Sequence, residues 1–255
     1  MDSIVAQINP RSISLALALG MLSAWRVGIW MGNRLRRLGG ARKPSKFDDA
    51  SIALLGLLLA FTFGISISKH DQRRLAVVAD SNAIGDFYTC ATFLKEPTRT
   101  RLQGVIRDYA ELRLRLATRP IHSSELESAL IQFQNMQGRM TELVGQALAD
   151  GTPIAVSLTN TLNEVTSNNT ARLAAIRDRL PAIVVVLLFV SSIITTMLIG
   201  REQGYSAASE VAGTLCFILL ISFAIYVTLD LNQPDRGLIV VSQEPFERLL
   251  SSMRK

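Results

Sequence analysis

ASIALLGLLLAFTFGISIS, residues 50–68, is the stretch whose reading decides the fold. About nineteen residues pass without a charge, enough for one helix, rising about 1.5 Å per residue, to cross the hydrocarbon core of a bilayer. The composition is more patterned than solubility in lipid requires. Gly56, Ala60, Gly64 and Ser68 recur every four residues and share one helix face, where small side chains let another helix backbone come close. Ser51, Thr62 and Ser66 share a second, weakly polar stripe with Leu55 and Leu59. A helix lining a path through an assembly looks like this, and so does a buried helix of any membrane bundle. The residues alone leave both readings open.

Composition agrees with a membrane assignment. The chain has 255 residues, 49% of them apolar and only 6% aromatic, which suits a membrane protein with one modest extramembrane part. Its net charge of +6 is concentrated in the connection NRLRRLGGARKPSKFDD, residues 33–49, with Arg34, Arg36, Arg37, Arg42, Lys43 and Lys46. Between membrane segments such residues record topology or contact with anionic lipid, so no nucleic-acid partner is expected. Cys90 and Cys216 lie in different kinds of segment and predict neither a disulfide framework nor a metal site.

Three further crossings flank the first stretch. Residues 12–32, SISLALALGMLSAWRVGIWMG, form the first, with Trp25 and Trp30 as interfacial anchors. Arg26 lies inside it, a turn or two from the basic end, and can snorkel there; if it is paired, depth selects Glu210. Pro181 introduces PAIVVVLLFVSSIITTMLIG, in which Ser191 and Thr195, then Ser192 and Thr196, are paired at helical spacing. Their hydroxyls are expected to bond back to the backbone or bridge helices, with ion or water contact as the lesser reading. A short loop with Arg201 and Glu202 leads to the last crossing, about 208–231, which places Ser222, Tyr226 and Asp230 on one face.

The interval 69–180 reads as helix apart from its breaks. Ala76, Ala79, Ala83, Phe87, Cys90 and Leu94 repeat at steps of three and four, so the second crossing is expected to continue as one long helix to Glu96-Pro97. Leu102, Val105, Tyr109, Leu112 and Leu116 mark the next helix, stopped at Arg119-Pro120. Ser124 and Glu127 form a capping box for a third, ending at Asp150-Gly151, and Thr152-Pro153 opens a fourth through Leu158, Val165 and Ile176. The polar run 157–170 reads as a solvated face. The fold class is therefore all-α: four transmembrane helices with a helical-bundle insert between the second and third. The divisions are 1–68, the first transmembrane hairpin; 69–180, the extramembrane bundle; 181–231, the second hairpin; and 232–255, the tail.

In the tail a Pro-Asp-Arg-Gly turn precedes apolar residues 238–241 and a short helix starting within 242–247. The run Asp230, Pro234, Gly237, Ile239, Val241, Ser242, Glu244, Pro245 and Phe246 resembles the C-terminal signature of the bestrophin-like bacterial membrane proteins, catalogued chiefly as a domain of unknown function. DQRRLAVVADSNAIGDFY, residues 71–88, and LNEVTSNNTARLAAIRDRLPA, residues 162–182, resemble the same family in the same order. The family often has an acidic residue and Arg where Asn232-Gln233 stand here, and Glu-Ala where Asp80-Ser81 stand, so the resemblance carries no ion pair to these positions. By layout it extends to true bestrophins, pentameric anion channels with four membrane segments and a helical cytosolic part. It implies a multi-pass protein of the bacterial inner membrane, a homo-oligomer and a channel.

No catalytic constellation is present: His70 and His122 are isolated, and Gly39-Gly40 makes no phosphate loop. No enzyme activity and no cofactor are expected. In the channel reading, Leu55, Leu59, Thr62 and Ser66, or a ring of Phe61 or Phe63, face the path. Gly56, Ala60, Gly64 and Ser68 pack helices, while Lys69, Arg73, Arg74 and Asp230 stand at the mouth, the basic ones favouring anions. Pro234, Gly237, Ser242, Glu244 and Pro245 are the residues of the tail motif. The alternative is a non-conducting membrane scaffold or sensor whose helical insert binds a partner or ligand. The basic loop 33–49 argues that the insert faces outward, whereas bestrophin layout puts it inside, so the side stays open.

Overall fold

A computed structural model describes residues 9–38, 46–118, 123–206, 210–233 and 237–254. Arg42, Lys43, Arg119-Pro120, His122, Ala208 and Pro234 lie outside the described residues, as do the side chains of the expected capping box, Ser124 and Glu127. The described residues are helical with no strand. In chain order the helices are α1 Pro10–Arg37, α2 Lys46–Thr92, α3 Thr98–Thr118, α4 Ser123–Ala149, α5 Ala155–Arg177, α6 Ala182–Ser206, α7 Val211–Leu231 and α8 Glu244–Met253. Four of them, α1, α2, α6 and α7, contain apolar stretches long enough to cross a membrane.

The long second helix is continuous, as the heptad spacing predicts, through 47 residues. It ends at Thr92 rather than at Glu96-Pro97, because the amides of Phe93 and Leu94 tighten onto the carbonyls of Cys90 and Ala91. Two contact-defined units divide the chain: Met1–Lys69 with Arg179–Gln233 and Gly237–Ile239, and His70–Asp178 with Val240–Lys255.

In the first unit Leu17, Met21, Val185, Leu188, Ile218 and Ile225 form the core. The tightest packing in it is between α1 and α6, and its signal in the sequence is a repeat of small residues in both helices. Gly20, Ala24, Gly28 and Gly32 recur every four residues in α1, as do Ser192, Thr196, Gly200 and Gly204 in α6. A Cβ at Gly28 would stand 2.1 Å from the Met197 carbonyl oxygen, and one at Gly200 would stand 2.3 Å from that of Trp25. No side chain fits either approach, so the two backbones touch over this length. The same contact corrects the expected loop at Arg201 and Glu202. Helix α6 runs on to Ser206, with Gly204 against Ile29 and Arg201 paired with Asp48 at 3.0 Å.

The hydroxyls of α6 take the packing reading. Ser191, Ser192 and Thr196 each bond the carbonyl four residues earlier, at 2.7 Å. Thr195 reaches the Ser51 carbonyl at 3.5 Å. Such bonds satisfy the hydroxyls locally and leave them little to offer an ion. Arg26 is exposed, its guanidinium 5.9 Å from the Trp25 ring, and it makes no ion pair with Glu210 among the described residues.

In the second unit α3, α4, α5 and α8 bury Tyr109, Met140, Leu158, Phe246 and Leu250 with Ile84 and Phe87 of α2. The register of α2 differs from expectation at Ala79, which is exposed, while Val77, Asp80 and Ser81 turn inward. Two members of this face are polar, so hydrophobic periodicity does not mark it.

Candidate functional site

The three stretches that resemble a family come together in the second unit around a buried ion pair. Asp80, in the first stretch, has no solvent exposure. Its Oδ2 accepts a hydrogen bond from Nη1 of Arg172, in the second stretch, at 3.0 Å, and lies 3.5 Å from Nη2 of Arg113 on α3. Gln243, in the third stretch, accepts from the other Arg172 nitrogen at 3.2 Å, and Ser81 donates to the Pro245 carbonyl at 3.0 Å. The Asp80-Ser81 pair, which departs from the family pattern, thus makes an ion pair of its own.

One carboxylate faces two guanidiniums here, and desolvating that excess positive charge needs further partners. Aromatic faces supply some. The Arg113 guanidinium carbon stands 4.8 Å from the Phe133 ring centre and 5.3 Å from that of Tyr109, while Arg172 stands 5.1 Å from Phe246. Arg113 also donates to the Tyr109 hydroxyl at 3.1 Å and to the Asn169 side-chain oxygen. Asn169 is thereby removed from the solvated face on which the polar run 157–170 placed it. Burial pushes the Tyr109 phenol pKa up, opposed by the Arg113 charge beside it. Asp80 Oδ1 and Arg113 Nε are buried without a hydrogen bond to the described protein. The cluster holds α2, α3, α5 and the start of α8 by directional bonds, and its chemistry suits positioning rather than bond-making.

Arg73, expected at a pore mouth, belongs to this unit's interior instead. It is 3% exposed, and its Nε and Nη2 donate to the carbonyls of Ala175 and Asp178 at 3.1 and 2.9 Å, closing the C-terminus of α5. Basic side chains at a helix C-terminus satisfy its orphan carbonyls and complement the dipole. Arg74 is exposed and Lys69 half-buried.

Asp230 is buried as well. Only 3% exposed, it accepts from the amides of Leu238 and Ile239, both at 3.0 Å, and from the Tyr226 hydroxyl at 3.4 Å. It therefore folds the chain back at the end of α7. A Cβ on Gly237 would lie 2.8 Å from the same carboxylate, which gives the glycine of the tail motif its reason. Ser242 Oγ accepts from the Glu244 amide at 3.3 Å, and Pro245 occupies the first turn of α8.

Along residues 50–68 the two stripes are separated by burial. Leu55, Thr62 and Ser66 are buried in the first unit and Leu59 is half-buried, so the weakly polar stripe is the inward one. Thr62 returns its hydroxyl to the Leu58 carbonyl at 2.8 Å. Leu55, Thr62 and Ser66 are thus enclosed by their own chain. Gly56, Ala60, Gly64 and Ser68 are exposed, and a Cβ at Gly56 or Gly64 meets nothing within 4 Å. Phe61 and Phe63 are exposed at 63% and 39%.

No curated protein matches the chain, and no solved structure does either. The family model of the bestrophin-like domain matches residues 50–246, a range that holds the second crossing, the ion-pair cluster and the tail as far as Phe246. With four membrane-length helices, the chain is a membrane protein belonging to the bestrophin-like family.

Proposed function

We propose that this protein is a homo-oligomeric anion channel of the bacterial inner membrane, with α2 of each copy arranged about the conduction axis and 69–180 forming an extramembrane helical bundle. The observation that carries this reading is the outward face of α2. At about 100° per residue, the Gly56, Ala60, Gly64 and Ser68 stripe points roughly 160° away from the buried Leu55, Thr62 and Ser66. A small-residue face turned away from its own protomer is suited to a neighbouring helix. Phe61 or Phe63 then supplies the hydrophobic constriction, of the kind that gates by dewetting, and Lys69 and Arg74 favour anions at its end. The ion-pair cluster positions α2 in this scheme. The protein performs no catalysis and takes no cofactor.

The test is flux from liposomes holding the purified protein, with the oligomer mass measured in the same detergent. Anion-selective flux from an oligomer, altered by Phe63→Ala or Phe61→Ala, supports the reading. A monomer without flux under any gating condition removes it.

A second reading, a non-conducting sensor, is favoured by a different feature. A cavity of about 620 Å³ in the second unit is lined by Ser81, Asn82 and Asp86 of α2 and by Glu244, Pro245 and Arg248. It is polar and of ligand size. A small molecule that raises the melting temperature of the full chain, with that gain lost in Asn82→Leu, would support this reading in the absence of flux.

A further inference from the structure

We propose that the groove bounded by α1, the end of α6 and the start of α7 binds an anionic phospholipid. The cavity measures about 690 Å³, and its wall includes Trp25, Arg26, Ile29, Asn33, Arg36 and Leu215. Two guanidiniums line it and, among the described residues, no carboxylate does. Both arginines are exposed, and neither forms an ion pair among the described residues. Two of the other polar groups are committed elsewhere: the Trp25 indole N–H donates to Gln203 at 2.9 Å, and the Gln203 amide donates to Thr214 at 2.7 Å. The open charge of the groove is therefore positive, and its occupant is an anion.

Apolar surface and dimensions select a lipid over a free anion. Ile29 and Leu215 belong to membrane-length helices, and Leu215 is 44% exposed. A soluble anion gains nothing from such a wall, whereas an acyl chain loses no contact with lipid by lying along it. The Arg26 and Arg36 backbones are roughly 15 Å apart along α1, the scale of a headgroup with its glycerol and first acyl carbons. Trp25 lines the groove from the buried side, only 6% exposed. Basic pockets between membrane helices hold acidic headgroups by this combination of charge and apolar wall. The site is independent of whether the protein conducts.

The two tryptophans of the chain make the test direct. In Trp30→Phe, the remaining indole, Trp25, reports on the groove. The protein in neutral mixed micelles is titrated with phosphatidylglycerol or phosphatidylcholine carrying brominated acyl chains, and quenching is followed. The parent is expected to prefer phosphatidylglycerol by roughly thirtyfold, given the usual contribution of two arginines near an acidic headgroup. Arg26→Gln with Arg36→Gln should abolish the preference, and Arg26→Lys should keep most of it. If the double variant does not fold, raising the salt concentration on the parent provides the same reading, because screening should shrink the preference. Equal quenching by the two lipids, or a preference that survives both charge removal and salt, overturns the proposal. Displacement of the lipid by millimolar inorganic phosphate overturns it too, since the site would then be one for a soluble anion.

Discussion

The Asp80 carboxylate receives the Arg172 guanidinium at 3.0 Å with neither side chain more than 7% exposed. Breaking such a pair from one side leaves an uncompensated buried charge, at a cost of about 3–5 kcal/mol. Asp80→Asn leaves two guanidiniums facing an amide, and a fall in melting temperature in detergent is expected, seen as loss of helical circular dichroism. Arg113→Met should cost less, because the closer pair of Asp80 with Arg172 survives. Equal or negligible effects of the two substitutions would mean that the cluster does not hold the second unit together.

The Tyr109 phenol gives this unit a pH dependence. Its pKa is raised in the folded state, chiefly by burial, so the native protein holds the proton more tightly than the unfolded chain does. That contribution is intact below the ordinary tyrosine value of about 10 and is lost as the pH rises through the folded value. Unfolding free energy should therefore decline above about pH 10, and decline less steeply in Tyr109→Phe. Denaturant titrations of both proteins between pH 8 and pH 11 check this; parallel slopes would remove Tyr109 as the cause.

Two glycine substitutions separate contacts within a copy from contacts between copies. Gly200→Val places atoms where the Trp25 carbonyl oxygen would stand 2.3 Å away, so α1 and α6 must part. A loss of about 1–3 kcal/mol is the ordinary cost of such overpacking. A Cβ at Gly64 meets nothing within 4 Å, so Gly64→Val should leave protomer stability unchanged. If that face packs against a second copy, the same substitution lowers the oligomer mass in detergent. An unchanged oligomer with Gly64→Val would place the interface elsewhere.

The tail depends on Asp230. Asp230→Ala leaves the amides of Leu238 and Ile239 without their acceptor, and each such loss costs about 1–3 kcal/mol when the group stays buried. Limited proteolysis is expected to cut near 237–241 sooner in this variant, and in Gly237→Ala as well. Resistance equal to the parent would show that the apolar contacts of α8, with Phe246 and Leu250, anchor the tail by themselves.

Periodicity in the sequence determined the helices, including the continuity of α2 through 47 residues, because hydrophobic spacing and helix propensity act over a few neighbouring positions. It also held the α1 and α6 small-residue repeats, which Trp, Arg or Gln between the small residues obscure. Only the tertiary structure decided which stripe of ASIALLGLLLAFTFGISIS turns inward. Leu55, Thr62 and Ser66 are buried and Gly56, Ala60 and Gly64 are not, because the choice depends on which neighbours arrive from distant parts of the chain. The same holds for Asp80, Arg113 and Arg172: singly each reads as a solvated charge, and burial becomes tolerable only when α2, α3 and α5 bring the opposite charges within hydrogen-bonding range.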